Sequence, residues 1–281
     1  MRSTTILLLS SVAFFATPAL AQGAAQAAED AEAEGEIIVI GRGETRQVQE
    51  LGTADLTILA PGTSPLKAIE KLPSVNFQSA DPFGNYEWST RVTIRGFNQN
   101  QLGFNLDGIP LGDMTYGNNN GLHVSRAIAP ENIGITRVAQ GSGSLGTQST
   151  NNLGGTLEFF SLDPKDGFGA DASLTYGTEN TARVFGRVQF GEADQARGFI
   201  SGMWQTADKW KGDGKQGGWM VNAKGIVPLG GAELDAYFSY SDRAEQDYQD
   251  LSLGMIQRLG YNWDNFGPKN YALAVQVADI A

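Results

Sequence analysis

Cysteine is absent from this sequence of 281 residues, and histidine occurs once, as His123. Without cysteine the chain has no disulfide framework and no thiolate metal site. A single imidazole excludes sites that need two or more histidines, and it leaves few candidates for a general base. Basic residues are also scarce, since 20 Lys and Arg against 31 Asp and Glu give a formal net charge of -11. Nucleic acid is therefore not expected as a partner, because phosphate binding needs clustered Lys and Arg.

No Ser/His/Asp or paired-carboxylate arrangement with convincing catalytic spacing is present, so the sequence does not predict an enzyme. We expect neither a cofactor nor a bound metal. Glycine is abundant instead, with 36 residues, alongside 10% aromatic residues. That combination, without a long apolar run, is more typical of outer-membrane strands than of a soluble enzyme. At this length the chain could form one domain or two.

Residues 1–21 have the pattern of a secretory signal peptide. Arg2 gives a basic start, an apolar run extends from Ile6 to Ala16, and a small-residue motif ends at Ala21, where we expect cleavage. The apolar run is too short to cross a bilayer as a helix. The alternative is a buried N-terminal helix. Residues 22–35 contain only Ala, Gln, Glu, Asp and Gly, which predicts a disordered acidic linker.

The region from Val92 to Leu157 carries Gly, Asn, Asp or Pro at nearly every place where the backbone must change direction. Short apolar runs lie between these breaks, and each is too short for an ordinary helix. The runs are Val92 to Ile94, Leu102 to Leu106, Ile133 to Val138, and Gly155 to Phe160. This pattern predicts a small, loop-rich domain of short strands. Such a domain buries little apolar surface for its size and gains stability from being enclosed.

Three pieces of this region resemble, in order and spacing, the plug domain of TonB-dependent outer-membrane receptors. They are Ile94-Arg95-Gly96, the run from Asn105 to Leu111, and the stretch from Pro130 to Gly155. The positions that carry the motif are Arg95, Gly96, Asp107, Gly108, Gly141, Gly154 and Gly155. Asp107-Gly108 can form a tight turn, after which Pro110 fixes the exit. The resemblance places the plug domain at residues 42–165.

The sequence departs from the family pattern at two places. Gly134 to Arg137 replace a run that is usually charged, and Gln140 stands where arginine is usual. A latch that this arginine would form with a barrel wall is therefore not expected from Gln140.

A β-branched run interrupts the polar N-terminal stretch at Glu36, Ile37, Ile38, Val39 and Ile40, followed by Gly41. A short extended segment at the end of a flexible linker can pair as an additional strand with the edge of a partner's sheet. Residues 36–41 resemble the TonB box of the family, which implies binding to the periplasmic C-terminal domain of TonB. The alternative is that this run is the first strand of the plug. The 14 residues of the preceding linker are too few for the folded signalling domain that some receptors carry there.

A helix is predicted between Ser64 and Pro73, because Ser64 can cap it and Pro65 suits its first turn. Two loops follow, at residues 79–89 and 112–123. They combine aromatic faces with amide groups, which suits polar organic ligands. In the family these loops form the outward-facing apex of the plug. The candidate ligand-binding residues are Tyr86, Trp88, Tyr116, Asn118, Asn119, Asn120 and His123. For any single residue, a solvated turn or packing against the barrel wall is the alternative.

The run from Gly141 to Gly146 has the spacing G-x-G-x-x-G. A dinucleotide site requires a helix directly after such a run, so that the helix N-terminus faces the pyrophosphate. Residues 147–152 have no apolar periodicity, and Gly154-Gly155 follow. We therefore do not predict a nucleotide site.

From Ala170 onward, apolar and polar residues alternate. The pattern predicts five strands of about ten residues with one apolar and one polar face, as transmembrane β-strands require. The strands are expected within residues 170–176, 182–190, 200–206, 219–227 and 232–241. A soluble sandwich would alternate too. Short and long connections alternate in most places, as in an outer-membrane barrel.

Receptors of this family close a barrel of about 22 strands, for which the strands alone need roughly 220 residues. Residues 166–281 therefore read as the truncated N-terminal portion of such a barrel, because an open sheet edge is not tolerated in lipid. We interpret the sequence after Ser241 as an external loop. Its carboxylates could form a calcium site, although a solvated acidic loop is the simpler interpretation. These carboxylates are Asp242, Glu245, Asp247 and Asp250.

The predicted fold is thus an α+β plug domain followed by antiparallel transmembrane strands of an incomplete barrel. The resemblance implies a receptor in the outer membrane that takes up a ferric siderophore, cobalamin or an oligosaccharide when TonB displaces the plug. Its expected partners are TonB, outer-membrane lipid and a small polar nutrient. The alternatives are a secreted, soluble β-rich glycan-binding module or enzyme, and a chain that has no transport function by itself.

Overall fold

The computed structural model describes residues 48–114, 121–141, 147–149, 151–192, 194–264, 272 and 275–276. The described chain forms a globular domain, residues 48–163, and a five-stranded antiparallel sheet, residues 169–245, which we call the wall sheet. This arrangement confirms the predicted fold class. No helix among these residues is long and apolar enough to cross a membrane.

Two small sheets form the globular domain. The first has the order β1 (Val48–Gly52), β7 (Ile133–Gln140), β8 (Gly155–Ser161), β5 (Leu102–Leu106) and β6 (Ile109–Pro110). The second has the order β2 (Val75–Gln78), β3 (Arg91–Ile94) and β4 (Phe97–Asn98). Only β5 and β8 pair in parallel among these described strands. The short apolar runs predicted as strands are confirmed, and their side chains form one buried core that includes Leu66, Ile94, Phe104, Val138 and Phe159.

The helices are short. They are α1 (Thr53–Leu56), α2 (Pro65–Ala68), α3 (Val124–Ala127) and α4 (Leu253–Leu259), with 3-10 turns at Ile69–Lys71, Gln99–Gln101 and Pro130–Asn132. The helix predicted after Ser64 is present, because the Ser64 hydroxyl accepts a hydrogen bond from the Leu66 amide at 3.2 Å. It continues as the 3-10 turn at Ile69–Lys71. None of the described residues 147–149 and 151–154 is helical, as the lack of apolar periodicity predicted.

The predicted tight turn is confirmed at Asp107-Gly108, and a second motif pair forms a similar turn. Asp107 and Gly108 have φ angles of 49° and 77°, as the two-residue hairpin between β5 and β6 requires. Arg95 and Gly96, with φ angles of 52° and 83°, connect β3 and β4 in the same way. The Asp107 carboxylate also accepts a hydrogen bond from the Ser161 amide at 2.8 Å. The turn is therefore tied to the end of β8, where the globular domain leads into the wall sheet.

The wall sheet is a meander of neighbouring strands. It consists of β9 (Gly169–Tyr176), β10 (Ala182–Gly191), β11 (Arg197–Asp208), β12 (Lys215–Pro228) and β13 (Glu233–Glu245). All five predicted strands are present. The prediction of a loop after Ser241 is wrong for residues 242–245, which continue β13 because they pair with β12 up to Glu245↔Gln216. Asp242 is exposed on one face of β13 and Glu245 faces the other way, so strand geometry separates these two carboxylates.

Two neighbouring rows of cross-strand partners show how the wall sheet is oriented. One row is apolar across all five strands and points away from the globular domain: Ala170, Val188, Ile200, Ala223 and Phe238. The next row is polar across all five strands and points toward the globular domain: Asp171, Arg187, Ser201, Asn222 and Ser239. Arg187, Ser201, Asn222 and Ser239 are all buried. The polar face of the sheet is thus the covered one.

The apolar face is exposed in the described structure. Leu174 and Ile200 are 75% and 55% exposed, and Trp204 and Trp219 lie beside each other on neighbouring strands near one end of this face. The rings of Trp219 and Tyr240 are 4.9 Å apart. A soluble sandwich would bury the apolar face and leave the polar face to water. The observed orientation is the one found in strands that face lipid, with aromatic residues near the edge of the apolar band.

We predict that Ile200→Lys in the middle of the apolar face lowers the free energy of unfolding in phospholipid vesicles by about 2–4 kcal/mol, because lysine loses its hydration there. Denaturant titration of the full-length protein in vesicles measures this effect. Leu229→Lys is the matched control. Leu229 is also exposed but lies in the turn between β12 and β13, so about 0–1 kcal/mol is expected. Equal, small effects at both positions would mean that the outer face meets water.

Candidate functional site

The main polar site lies between the globular domain and the wall sheet. On the globular side it consists of residues 125–132, which we call the anchor segment and which include most of α3 and the 3-10 turn at Pro130–Asn132. Pro130 suits the first position of that turn because it has no amide hydrogen to satisfy. The turn exposes the backbone groups and side chains of Ala129, Glu131 and Asn132 to strands β10 to β13. The segment thereby presents donors and acceptors to the polar row of the sheet.

Arg183 on β10 makes the central ion pair of this interface. Its Nε and Nη2 atoms donate to the two carboxylate oxygens of Glu131 at 3.1 and 2.7 Å, and its side chain is only 1% exposed. Nη1 donates to Oε1 of Gln205 on β11, and the guanidinium lies over the Phe83 ring at 5.8 Å. Charge-assisted, two-pronged pairs of this kind fix both position and orientation.

Gly62 makes room for this arginine. A Cβ atom at position 62 would lie 2.0 Å from Nε of Arg183, and the φ angle of +87° is one that glycine alone adopts readily. The Gly62 carbonyl accepts a hydrogen bond from Nδ2 of Asn85 at 2.7 Å. The loop at residues 79–89 is therefore connected to the place where Arg183 enters the globular domain.

The other contacts of the anchor segment involve neutral groups and a second arginine. Arg187 donates to the Glu131 carbonyl at 2.9 Å and also forms an ion pair with Asp171 at 2.7 Å. Asn132 donates to Ser201 at 2.7 Å and to Oδ1 of Asn222 at 3.0 Å, and the same Oδ1 accepts from the Ala129 amide at 2.9 Å. These bonds satisfy side chains that would otherwise be buried without partners.

Further along the same seam, the wall sheet binds the backbone of α3. The Tyr237 hydroxyl donates to the Ala127 carbonyl at 3.0 Å, and Arg243 donates to the carbonyls of Ser125 and Asn85. Arg243 also forms an ion pair with Glu245 at 3.4 Å. Strands β10 to β13 therefore all contact the anchor segment or the loop beside it.

Lys224 on β12 forms a second cluster at the start of the wall sheet. Its ammonium lies 2.7 Å from Asp163, 3.2 Å from Asp235 and 3.0 Å from the Ser161 hydroxyl. Next to it is a cavity of about 610 Å³ whose lining includes Thr53, Ile135, Phe160 and Glu233. This is the end of the sheet at which the short turn between β12 and β13 lies, opposite the aromatic residues Trp204 and Trp219.

At the other end of the sheet, the loop at residues 79–89 meets the chain that follows β13. The Tyr86 hydroxyl donates to Asp247 at 2.5 Å, and its ring packs edge-on against Tyr248 with 6.1 Å between centroids. Tyr248 lies in turn 5.8 Å from Trp210. Lys209 and Asp264 form a fully buried ion pair of 2.8 Å beneath this aromatic cluster. Burial, with Asp247 adding to it, raises the pKa of Tyr86.

The candidate ligand residues thus have different surroundings. Tyr86 is buried and bonded to Asp247, and Trp88 is half-buried beside it. His123 is buried at the N-terminus of α3, where Nδ1 accepts a hydrogen bond from the Ser125 amide at 3.2 Å. Tyr116, Asn118, Asn119 and Asn120 lie outside the described residues, as does the run from Glu36 to Ile40. A ligand-binding role for these residues stays a prediction.

The motif residues of the globular domain mainly make contacts within that domain. The amide of Gly141 donates to the Gly154 carbonyl at 3.0 Å, and the Gly154 amide donates to the Gln101 carbonyl at 2.9 Å. Gly155 begins β8 opposite Gln140. Gln140 accepts from Nε of Arg95 and donates to the Pro73 carbonyl, both at 2.9 Å. These two bonds of Gln140 lie within the globular domain.

Sequence reasoning missed Arg183, Arg187, Lys224 and Arg243 as functional residues. Arg183, Arg187 and Lys224 lie on the inward face of strands that were predicted to cross a membrane, and Arg243 lies on the same face in the part of β13 that was predicted as a loop. A charge in the middle of such a strand requires a buried partner, and that is the signal that could have identified them. Among the described residues, no group of three or more His, Asp or Glu side chains is arranged to hold a metal ion. The site binds one part of the chain to another.

Comparison with known proteins finds similarity for both parts of the chain. The family model for the TonB-dependent Receptor Plug Domain matches residues 42–156. The ferripyoverdine receptor of the Pseudomonas aeruginosa outer membrane, solved with ferripyoverdine, is similar with a TM-score of 0.57 and 18% identity, over 72% of this chain and 26% of that one. Comparison with curated protein sequences gives no match.

Two other solved structures share the fold. A mutant ferric enterobactin receptor of Pseudomonas aeruginosa in complex with enterobactin gives a TM-score of 0.52 at 13% identity, over 72% of this chain and 34% of that one. The siderophore receptor of Acinetobacter baumannii gives 0.51 at 16% identity, over 73% and 33%. The chain therefore spans about a quarter to a third of the length of these receptors.

We predict that Arg183→Met and Glu131→Gln each lower the free energy of unfolding by about 3–5 kcal/mol. Arg183→Met leaves the Glu131 carboxylate without its partner, and Glu131→Gln leaves the buried Arg183 guanidinium without an opposite charge. The double variant should lose less than the sum of the two. Arg137→Met is the matched control, because Arg137 and Glu50 pair at the surface, where about 1 kcal/mol or less is expected. Denaturant titration in micelles provides the numbers. Additive losses would show that the two residues do not act as a pair.

His123 predicts a dependence of stability on pH. Burial, followed by the nearby charges of Arg243 and Arg126, lowers the pKa of His123 to about 3. The unfolded chain binds a proton near pH 6.5 and the folded chain does not, so stability falls as pH decreases from about 6.5 toward 3. The slope from this group is at most about 1.4 kcal/mol per pH unit. His123→Asn retains an N-cap acceptor and should remove that slope between pH 6 and 4.5 in urea titrations. An unchanged slope would assign the pH dependence to other groups.

Proposed function

We propose that this chain acts in the energy-coupled uptake of a scarce nutrient, because it joins a region that matches the TonB-dependent Receptor Plug Domain to strands that share the fold of an outer-membrane receptor barrel. The globular domain is the plug, and the wall sheet is part of the barrel that surrounds it. The observation that carries the proposal is the orientation of the wall sheet. Its polar face binds the plug and its apolar face is exposed, as a barrel wall in lipid requires. Receptors of this kind are outer-membrane transporters and not enzymes.

The nutrient in this proposal is a ferric siderophore, cobalamin or an oligosaccharide. The similar solved receptors include ones with ferripyoverdine and enterobactin bound, so a ferric siderophore is the first ligand to test. The similarity is at the level of the fold, because the identities are 18% and 13%. The loops around Trp88 and Tyr116 are the proposed outward-facing ligand surface. Growth of a strain that lacks the whole gene, under iron, vitamin or sugar limitation, identifies the nutrient.

The proposed coupling partner is the periplasmic domain of TonB, which would pair with the run from Glu36 to Ile40. The proposal keeps the remaining divisions of the chain: signal peptide at 1–21, acidic linker at 22–35, TonB box at 36–41, plug at 42–165 and barrel portion at 166–281. Attachment of the TonB box through a flexible linker would allow a strand to be added to the TonB sheet by main-chain hydrogen bonds.

A soluble glycan-binding module or enzyme is not supported by the structure. Such a protein would expose the polar face of its strands, whereas Ser201 and Asn222 are 3% and 1% exposed and the apolar partners on the other face are open.

We predict that deletion of Glu36 to Ile40 from the full-length receptor abolishes uptake of the nutrient and leaves its binding unchanged. The reason is that energy coupling acts after the nutrient is bound. Uptake and binding of radiolabelled nutrient by whole cells measure the two steps separately. Deletion of Ala24 to Ala28 from the linker is the matched control, because it removes the same number of residues and should leave uptake intact. Equal loss of binding and uptake would contradict the coupling role.

A further inference from the structure

Arg243, near the end of β13, binds two separate parts of the plug. Its Nη1 atom donates to the Asn85 carbonyl at 3.0 Å, and its Nη2 atom donates to the Ser125 carbonyl. Asn85 belongs to the loop at residues 79–89, and Ser125 lies just after the loop at residues 112–123. These two loops, which we call the apex loops, carry the candidate ligand-binding residues. One guanidinium of the wall sheet therefore holds both of them.

The first apex loop, residues 79–89, has an internal framework of its own. The Asp81 carboxylate accepts hydrogen bonds from three backbone amides at 3.1, 3.0 and 2.9 Å, and these amides belong to Phe83, Asn85 and Tyr86. Hydrogen bonds that a carboxylate accepts are stronger than those between neutral groups, so the local backbone is fixed. The loop therefore acts as one body, and what remains to be set is its position relative to the rest of the plug.

The second apex loop, residues 112–123, is closed at its base. Gly112 and Gly121 pair as an isolated β-bridge, and the Leu122 amide donates to the Leu111 carbonyl at 2.7 Å. Each apex loop is thus defined by bonds within itself. The spacing between the two loops depends on the contacts that connect one with the other.

Arg243 and the ion pair between Glu87 and Arg126 provide that connection. Glu87 is in the first apex loop, and Arg126 is in α3, which follows the second. The Arg126 side chain is 40% exposed, whereas the Arg243 side chain is 6% exposed and lies 3.4 Å from Glu245. Separating a buried guanidinium from its partners costs more than separating an exposed one, because water cannot replace them. Arg243 is therefore the stronger of the two connections.

We propose that Arg243 is a positioning residue for nutrient capture, which fixes the spacing between the apex loops without contacting the nutrient. A surface made of two loops binds a ligand more tightly when their spacing is set in advance, because binding then does not have to order them. Trp88, half-buried on the first loop, is held in this way through Asn85 and Glu87 on either side of it. This inference rests on the proposed uptake function and gives the wall sheet a part in the affinity for the nutrient.

We predict that Arg243→Lys in the full-length receptor weakens nutrient binding by about tenfold, because the nutrient must then order the two loops itself. Lysine keeps a positive charge beside Glu245, but it has one nitrogen in place of the planar fork that reaches both carbonyls. Equilibrium binding of ferripyoverdine and of ferric enterobactin to whole cells measures the affinity. In uptake, the half-saturating concentration should rise by the same factor while the maximal rate stays unchanged.

Tyr237→Phe is the matched control for this substitution. It removes the hydrogen bond from the same strand to the Ala127 carbonyl, and so loosens α3 without releasing the first apex loop. Affinity should stay within about twofold of the unaltered receptor, because Arg243 still sets the spacing of the loops. Equal affinities of the two variants would overturn the inference.

A cross-link that bypasses Arg243 separates positioning from a general loss of structure. The chain has no cysteine of its own, so Glu87→Cys with Arg126→Cys can be joined selectively by a short bis-maleimide. In the Arg243→Lys background this cross-link should restore affinity to within about twofold of the unaltered receptor, because it connects the first apex loop directly to α3. Cross-linked protein that still binds weakly would contradict a positioning role.

Hydrogen exchange of the full-length receptor in micelles gives a measurement that needs no nutrient. Arg243→Lys should speed exchange of the Tyr86 and Ala127 amides together, by about fivefold or more, because local opening becomes easier once both segments lose the same attachment. Faster exchange in only one of the two segments, or in neither, would overturn the inference.

Failure of the proposed function has a different signature. If neither probe binds the unaltered receptor, the choice of a ferric siderophore is wrong, and hydrogen exchange still decides whether Arg243 holds both apex loops. If the probes bind the unaltered receptor and Arg243→Lys equally well, only the positioning role is wrong.

Discussion

The burial of polar side chains between the plug and the wall sheet is the constraint on which the rest of the structure depends. A row of polar residues that includes Arg187, Ser201 and Asn222 cannot face lipid, and it cannot be buried without partners. The anchor segment supplies those partners as carbonyls, an amide and one carboxylate. The dependence is mutual, because a plug of short strands has a small core and gains stability from being enclosed. Each part therefore provides the surroundings that the other requires.

The sequence predicted the strands well and their surroundings less well. Alternation from Ala170 onward located all five strands of the wall sheet, and turn residues such as Asp107-Gly108 located the short strands of the plug. A period of two defines two faces but does not say what covers each one. The partner of Arg183 is Glu131, 52 residues away, and no local pattern connects them. The end of β13 was misplaced for the same reason, because pairing with β12 extends it into residues that are polar enough for a loop.

The candidate ligand residues show that the chemical type of a side chain does not by itself identify its role. Tyr86 was selected because an aromatic ring with a hydroxyl suits a polar ligand, and the same properties suit the hydrogen bond to Asp247 and the packing against Tyr248. His123 likewise accepts a bond from the backbone of α3. Both residues therefore connect their loops to the wall sheet. Tyr86 binds the chain after β13, and His123 begins the helix whose carbonyls accept hydrogen bonds from Arg243 and Tyr237. A ligand that displaced either loop would act on contacts of the barrel wall.

The way in which the chain enters and leaves the plug limits how the plug can move. The chain leaves the plug through Ser161 and Asp163, which Lys224 binds directly to the wall sheet, and it continues into β9 without a long linker. The plug is therefore fixed to the wall sheet at its exit and at the anchor segment. The ion pair between Glu50 of β1 and Arg137 is at the surface, whereas the ion pair of the anchor segment is buried, and Leu51 ties β1 to the plug core. Removal of the whole plug would expose the polar row of the wall sheet and the core of the plug together, so each part opposes separation from the other.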